Sequence, residues 1–385
     1  MTTTGSGVAG EKKLKTVSLT IDGVKIEVPE GTTVLEAAKK AGIYIPTLCW
    51  DADLKPYGGC RLCIVEIEKM RGLPPSCTTE AAPGMVVHTE TPAVNQARRT
   101  VMELILANHP CECLTCNRRQ HCGPNDICLR NVSVTERCLT CAKNQNCELQ
   151  TVAQYLGIET EHFDRLRRRI RVVPIDDSNP AYTRDMNKCI LCARCVRACH
   201  EVTGIDAIDI AYRGDAATIA GLGNLPILLS RCETCGECVA RCPTGALVFR
   251  ESRLVTREVK TTCPYCAVGC QVYLGIRSGE IISVRGDKEG PANEGHLCVK
   301  GRFGVADFVH HPDRLKKPLI KKNGKFEEAT WDEALNLVAI KLKTYKSEEV
   351  GVVSSARSTN EASYIMQKFG RVVLGTNNVD HCARL

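Results

Sequence analysis

Twenty-five cysteines in 385 residues constrain this chain more than any other feature of its sequence. Most fall into groups of four with short spacing, as metal or metal-cluster ligation requires, whereas disulfide bonding needs only pairs. The chain is too long for a disulfide-rich secreted domain, and it lacks the long apolar run of a membrane span. It also begins without a secretory signal. We therefore expect small domains organised around metal centres in a reducing cytoplasm.

The most specific pattern is a Cys-x2-Cys-x2-Cys-x3-Cys run that occurs twice. The two runs are Cys189, Cys192, Cys195, Cys199 and Cys232, Cys235, Cys238, Cys242. In this motif the fourth cysteine of each run ligates the cluster of the other run. The predicted [4Fe–4S] sets are therefore Cys189, Cys192, Cys195, Cys242 and Cys199, Cys232, Cys235, Cys238. The region, which we assign to residues 158–258, resembles a bacterial two-cluster ferredoxin, and a pair of zinc sites is the alternative.

Nearer the N-terminus, after a flexible tail over 1–14, a second group consists of Cys49, Cys60, Cys63 and Cys77. Strands are predicted over 17–21, 24–28 and 64–67, and a helix over 33–41. The pattern resembles the N-terminal module of the respiratory NADH dehydrogenase large subunit and of iron-only hydrogenases. The resemblance implies a ferredoxin-like β-grasp domain over 15–92 whose four cysteines hold a [2Fe–2S] cluster, with zinc as the alternative.

A helix predicted over 93–107 leads into a third cysteine-rich region, assigned to residues 93–157. His109, Cys113, Cys116 and Cys122 resemble the motif with which the same families hold a [4Fe–4S] cluster by one His and three Cys. An imidazole in place of a thiolate removes one negative charge, and the net charge is one of the factors that set the cluster's reduction potential.

This region departs from those families because CLTCNRRQHC over 113–122 is followed by a similar CLTCAKNQNC over 138–147. The second copy has Val134 where the first has His109. Our preferred interpretation is an additional all-cysteine [4Fe–4S] cluster, with the ligands Cys128, Cys138, Cys141 and Cys147. The competing interpretation is a single cluster whose ligands come from both copies, with Cys111 spare or in place of His109.

The last group is Cys263, Cys266, Cys270 and Cys298, within TTCPYCAVGC and GHLCVKGRFG and around a hairpin predicted over 272–286. These motifs resemble the [4Fe–4S] domain of molybdenum or tungsten bis-pterin oxidoreductases, especially formate dehydrogenases, here over 259–315. The resemblance implies that Lys300 lies between this cluster and a pterin as an electron relay. A lone lysine is otherwise a solvated charge.

From residue 316 the pattern is that of a truncated α/β pterin-binding domain, with helices predicted over 331–344 and 361–374. Only one strand, 350–355, is predicted, and a lone strand leaves its backbone groups unpaired. The ending NNVDHCARL resembles the residues before the selenocysteine or cysteine metal ligand of formate dehydrogenases. We hypothesise that the frame was read as ending at a selenocysteine codon. Cys382 is expected to be a packed core thiol rather than that ligand.

The formal net charge of +7 suggests a nucleic-acid partner, but cluster loading would reverse it. All-cysteine clusters contribute about −2 each and the mixed site about −1, so the loaded chain would carry about −4. We therefore expect no nucleic-acid partner. The basic run over 165–171 is either a docking segment for an acidic partner subunit or a solvated linker.

The sequence thus predicts a multidomain α+β iron–sulfur protein with one [2Fe–2S] and four to five [4Fe–4S] clusters. It has neither a Gly-x-Gly-x-x-Gly nor a Walker motif, which implies that nucleotide chemistry belongs to another subunit. By resemblance, the partner is a flavin- and NAD(P)-binding diaphorase-like subunit, an iron-only hydrogenase or an iron–sulfur subunit.

The primary functional interpretation is the electron-transfer portion of a formate dehydrogenase catalytic subunit. Its formate/CO2 site, with molybdenum or tungsten bis-pterin guanine dinucleotide, would lie beyond residue 385, and no catalytic residue would lie within 1–385. The alternative is a complete non-catalytic electron-transfer subunit of an NAD(P)-linked dehydrogenase or hydrogenase complex. A third interpretation, the iron-only hydrogenase itself, fails after residue 260, where the motifs match the bis-pterin family instead.

Overall fold

The computed structural model describes residues 15–110, 112–114, 116, 118, 121–123, 125–129, 131, 133–158, 173–250 and 255–382. Cys111 and the basic run over 165–171 lie outside these residues. The chain forms two compact units. The first consists of Met1–Arg231 with Cys238–Phe249, and the second of Cys232–Glu237 with Arg250–Leu385.

A four-stranded mixed sheet with one helix begins the first unit. Its elements are β1 (Thr16–Ile21), β2 (Val24–Pro29), α1 (Val34–Lys40), β3 (Glu66–Ile67) and β4 (Val86–His88). The strand order is β2–β1–β4–β3, with β1 and β4 parallel and the other pairs antiparallel. Thr33 starts α1 with a capping box to Glu36, and the apolar face of α1 is buried against the sheet. The strand predicted over 64–67 is shorter than expected, because Ile64 forms only an isolated bridge to Pro75.

Two helices and a cysteine-bearing loop share a second core. Thr91 caps α2 (Pro92–Leu106), which has proline in its first turn, and α3 (Glu148–Tyr155) follows Cys147. The buried side chains of this core include Leu48, Leu62, Met102, Leu106, Leu149 and Val152. Packing of α2 against α3 therefore determines which cysteines come close to the end of α2.

The segments that carry the two cysteine runs, most of which belong to the first unit, consist mainly of short elements. They are β5 (Tyr182–Arg184), α4 (Arg194–Arg197) with a π-helix over Ala198–Val202, β6 (Asp209–Ala211), β7 (Thr218–Ala220), α5 (Glu237–Ala240) and β8 (Leu247–Phe249). β5 pairs antiparallel with β8. Because β5 precedes the first run and β8 follows the second, this pairing brings Cys242 back towards Cys189.

The second unit contains an antiparallel sheet of β9 (Arg257–Thr262), β10 (Gln271–Arg277) and β11 (Glu280–Gly286), in the order β11–β10–β9. The hairpin predicted over 272–286 is present. A π-helix over Lys300–Gly304 continues into α6 (Val305–His310). Val305 packs with Val272, Val284 and Leu297 in a small core that includes Cys263.

The C-terminal part of this unit has a hairpin and an α/β layer. Its elements are β12 (Leu319–Lys322), β13 (Lys325–Glu328), α7 (Trp331–Leu342), β14 (Val352–Ser354), α8 (Asn360–Val372) and β15 (Val379–His381). β14 pairs in parallel with β15, so the expectation of a lone strand was wrong. Three residues are too few to show a strand period in the sequence. Within the described residues, no helix combines the length and the apolar character needed to cross a membrane.

Candidate iron–sulfur centres

Cys49, Cys60, Cys63 and Cys77 come together between α1 and β4. The Cys49 sulfur accepts a hydrogen bond from the Cys60 N–H at 3.4 Å, and its thiol also contacts Cys77, which contacts Cys63. Hydrogen bonds from neighbouring thiols lower the pKa of Cys49 to about 2 and that of Cys63 to about 7. Four adjacent sulfurs, two of them favoured as thiolates, fit the ligand set of a [2Fe–2S] cluster.

His109, at the end of α2, lies with cysteines of the second copy of the duplicated motif. His109, Cys138, Cys141 and Cys147 line one small cavity. The His109 Nδ1 atom is buried and has no hydrogen-bond partner within the described residues. Burial lowers the pKa of His109 to about 4, so the imidazole is neutral at pH 7. A neutral imidazole beside three thiols fits a mixed His/Cys cluster site.

The first copy contributes little to this cavity. The Cys113 thiol is hydrogen-bonded to the Cys138 thiol, but no contact among the described residues brings Cys116, Cys122 or Cys128 to His109. The geometry therefore favours the interpretation in which ligands come from across the duplication. It does not bring Cys128 into a set with Cys138, Cys141 and Cys147.

Cys189, Cys192, Cys195 and Cys242, the crossed set predicted from the two runs, line another cavity with apolar walls. The Leu191 N–H donates to the Cys189 sulfur at 3.4 Å. Burial raises the pKa of Cys192 to about 12 and that of Cys195 as well. These thiols would lose their protons on binding a cationic metal centre, as cluster ligation requires.

The other crossed set is divided between the two units. Cys199 and Cys238 belong to the first unit, and Cys232 and Cys235 to the second. The Ala207 N–H donates to the Cys199 sulfur at 3.3 Å and the Thr234 N–H to the Cys232 sulfur at 3.4 Å. Such N–H···S bonds tune cluster potentials, but the assembly of these four cysteines into one set stays a prediction.

The last cysteine set converges on Gly301. A Cβ at that position would lie 3.8 Å from the Cys263 sulfur and 3.9 Å from the Cys298 sulfur. The Cys263 N–H donates to the Cys270 carbonyl at 2.8 Å. Burial raises the pKa of Cys270, and the neighbouring thiols Cys263, Cys266 and Cys298 raise it further. The four side chains therefore form one site that suits thiolate ligation of a cluster.

Lys300 and Cys382, the two further residues singled out in the sequence, are both exposed. Lys300 is exposed, and its role as an electron relay stays a prediction. Cys382 is also exposed, with its sulfur 3.5 Å from Ser355 Oγ, so the expectation of a packed core thiol was wrong. It directly follows the short strand β15, whose packing the sequence did not reveal. Across the described ranges, no group of three or more His, Cys, Asp or Glu side chains forms a single-ion site.

Arginines beside the cysteine ligands link the cysteine sets of the first unit, and these links were not predicted from the sequence. Arg197 donates to the Cys49 carbonyl and, at 2.6 Å, to the Lys55 carbonyl. Arg241, which precedes Cys242, is 3.0 Å from the Asp53 carboxylate. The available signal was the repeated placement of arginine next to ligand cysteines within the two runs.

Five protein families match successive parts of the chain. They are the 2Fe-2S iron-sulfur cluster binding domain (14–92), the NADH-ubiquinone oxidoreductase-G iron-sulfur binding region (98–129 and 135–162), the ferredoxin-like domain of NADH-quinone oxidoreductase subunit 3 (179–248), the molybdopterin oxidoreductase Fe4S4 domain (256–311) and molybdopterin oxidoreductase (314–385). The second of these matches each copy of the duplicated motif.

Relatives align over nearly the whole chain. A G-type subunit of the NADH-quinone oxidoreductase of Rhizobium meliloti is 38% identical over 96% of this chain, and the NADPH-Fe(3+) oxidoreductase alpha subunit of Geobacter sulfurreducens is 36% identical over 96%. A Staphylococcus aureus protein named provisionally as a formate dehydrogenase is 29% identical over 95%. The chain spans 40% of the length of the first two relatives and 39% of the third.

A solved structure is also similar. A chain of the NAD+-reducing [NiFe]-hydrogenase in its H2-reduced state superimposes with a TM-score of 0.51 at 30% identity, covering 63% of this chain and 90% of the other. Domains and cysteine sets together define a multidomain iron–sulfur protein with mixed helix and sheet. Its successive domains match iron–sulfur families of NADH-quinone oxidoreductase and of molybdopterin oxidoreductases, and the chain is similar to a G-type subunit of NADH-quinone oxidoreductase and to a chain of an NAD+-reducing hydrogenase.

Proposed function

We propose that this chain is an electron-transfer iron–sulfur subunit of a complex that exchanges electrons with a nicotinamide nucleotide. The relatives named as NADH-quinone and NADPH-dependent oxidoreductases support this function over formate oxidation, because they are more similar to the chain. Bound clusters would supply one-electron redox chemistry. The residues of the chain would hold them, exclude water and keep their spacing constant.

The observation that carries the proposal is the direct linkage of three cysteine sets within the first unit. Arg197 reaches the carbonyl of Cys49, while Arg194 pairs with Glu148, next to Cys147. Each set is thus one hydrogen bond or ion pair from a neighbouring set. Electron tunnelling weakens steeply with distance, so fixed spacing of this kind is what an electron conduit needs.

The proposed ligand sets keep four of the six predicted groups and merge the other two into one. Cys49, Cys60, Cys63 and Cys77 hold the [2Fe–2S] cluster, and the crossed sets and the 263–298 set hold three [4Fe–4S] clusters. The mixed cluster takes His109, Cys138, Cys141 and Cys147. The competing assignment has two clusters here, one held by His109, Cys113, Cys116 and Cys122 and an additional all-cysteine one held by Cys128, Cys138, Cys141 and Cys147. The domain boundaries given above are proposed with these sets.

The partner we propose is a flavin- and NAD(P)-binding subunit, as the lack of a nucleotide motif and the similarity to a chain of an NAD+-reducing hydrogenase both suggest. The test compares the loaded chain alone with the native complex, both under anaerobic conditions. NADH or NADPH should reduce the clusters in the complex but not in the isolated chain, whereas dithionite should reduce both. Reduction of the isolated chain by a nucleotide, or no reduction of the complex by either nucleotide, contradicts the proposal.

A second candidate is the electron-transfer portion of a formate dehydrogenase. One observation favours it: α7 and α8 expose apolar side chains such as Leu335, Val338 and Ile365, which suits packing against further parts of a molybdopterin oxidoreductase domain. The denatured mass of the subunit from the native complex tests it, together with formate-dependent cluster reduction. A mass far above 42.2 kDa with reduction by formate supports this candidate. A subunit without formate-dependent reduction rejects it.

A further inference from the structure

A buried ion pair joins two cysteine-bearing segments of the second unit. Glu237 Oε1 accepts hydrogen bonds from Arg302 Nη2 at 2.5 Å and from the Leu297 N–H at 3.0 Å. His296 Nδ1 lies 3.4 Å from Glu237 Oε2. The exposed fraction of the side chain is 2% for Glu237 and 6% for Arg302. The carboxylate is thus held by a guanidinium and a backbone N–H, and it has almost no contact with water.

Arg302 also connects residues of two different cysteine sets. Its Nε donates to the Cys235 carbonyl at 2.8 Å, and its backbone N–H donates to the Cys298 carbonyl at 3.0 Å. A Cβ added at the preceding residue, Gly301, would lie 3.9 Å from the Cys298 sulfur. One arginine is therefore a single hydrogen bond from a proposed ligand in each set.

Stability alone gives little reason for such a pair. Removing two charges from water costs free energy that their attraction only partly returns, so apolar side chains of similar size often stabilise a protein equally well. Charges and hydrogen bonds around ligands, by contrast, orient those ligands and tune the potential of the centre they hold. The position of Glu237 and Arg302, each within a few residues of a ligand cysteine, suits this second role.

We propose that Glu237 and Arg302 are a positioning pair that fixes Cys235 relative to Cys298 and tunes the centre that Cys235 ligates. The inference rests on the ligand sets proposed above. Reduction adds negative charge to the centre, so the carboxylate disfavours it and the guanidinium favours it. The two side chains therefore act on the reduction potential in opposite directions.

The test is a redox titration of the anaerobically purified, cluster-loaded chain, followed by electron paramagnetic resonance. Cys235→Ser first identifies the signal of the centre. Glu237→Gln, which keeps the shape of the side chain, should raise the midpoint potential of that signal. Arg302→Gln should lower it, and the double variant should lie between the two. Arg302→Lys keeps the charge and should shift the potential less than Arg302→Gln.

A matched control is the exposed pair Lys317–Glu328, whose charged atoms are 2.6 Å apart in the same unit. Glu328→Gln should leave every midpoint unchanged. Shifts of the same sign in the Glu237 and Arg302 variants, or no shift at unchanged iron content, overturn the proposal. So does a shift in Arg302→Lys as large as that in Arg302→Gln. A wild-type chain that binds no iron contradicts the proposed function instead, so the two failures are distinguishable.

Discussion

Arg194 and Glu148 form a two-point ion pair, with Nη1 2.6 Å from Oε1 and Nη2 2.8 Å from Oε2. Arg194 lies between Cys192 and Cys195, and Glu148 directly follows Cys147, so the pair joins two cysteine sets. The Glu148 N–H also donates to the Pro243 carbonyl at 3.0 Å, one residue beyond Cys242. Side chain and backbone thus hold the same two sets together.

Glu148→Ala should destabilise the cluster-loaded chain. The substitution leaves the buried Arg194 guanidinium without its carboxylate, which we expect to lower the free energy of unfolding by about 2 kcal/mol. The loss is smaller than for a fully buried pair because Glu148 is half exposed. Anaerobic denaturant unfolding measures it. Glu328→Ala, in an exposed pair, should change it by less than about 1 kcal/mol, and equal losses in the two variants would refute the prediction.

Substitutions should separate the two assignments of the duplicated motif. If His109, Cys138, Cys141 and Cys147 hold one cluster, His109→Ala and Cys138→Ser should change the same paramagnetic signal, and Cys128→Ser should change none. Cys138→Ser should also lose up to about four iron atoms per chain. A similar iron loss in Cys128→Ser would instead support the additional all-cysteine cluster.

Gly245→Ala should disturb the mixed His/Cys site, because a Cβ there would lie 2.4 Å from the Cys141 sulfur and 3.3 Å from Lys188 Cδ. We expect an altered spectrum or partial loss of that one cluster, measured by paramagnetic resonance and iron content. Gly351→Ala is the matched control, since its Cβ would meet no atom within 4 Å. A wild-type spectrum in Gly245→Ala would show that the site tolerates the added methyl group.

Protonation of the Asp176 carboxylate in acid should make the first unit less stable. Burial raises the pKa of this carboxyl, but hydrogen bonds from Ser178 and from the Ile227 N–H, with the nearby Arg184, hold it below its ordinary value. A folded-state pKa below the unfolded value of about 3.9 means that the stabilisation is present above that pH and is lost as pH falls through the folded value. Unfolding titrations of wild type and Asp176→Asn across this window should converge at low pH, and parallel curves would contradict this.

The sequence predicted those helices and cysteine sets that are determined by residues close together in the chain. The helices expected over 33–41 and 93–107 are present because Thr33 and Thr91 cap them, and the regular spacing of the two cysteine runs specified the set around Cys242. The partners of His109 were not predictable in this way. The two motif copies are locally almost alike, and the packing of α3 on α2 decides between them. The ion pair between Glu237 and Arg302 could not be predicted either, because the two residues are 65 positions apart in the sequence.

The most direct test of the proposed electron conduit is the iron and acid-labile sulfide content of the anaerobically purified chain, with the paramagnetic resonance spectrum of its dithionite-reduced form. One [2Fe–2S] and four [4Fe–4S] clusters predict about 18 iron atoms per chain and several overlapping signals. About one zinc ion per cysteine set, with no iron and no paramagnetic signal after reduction, would contradict it.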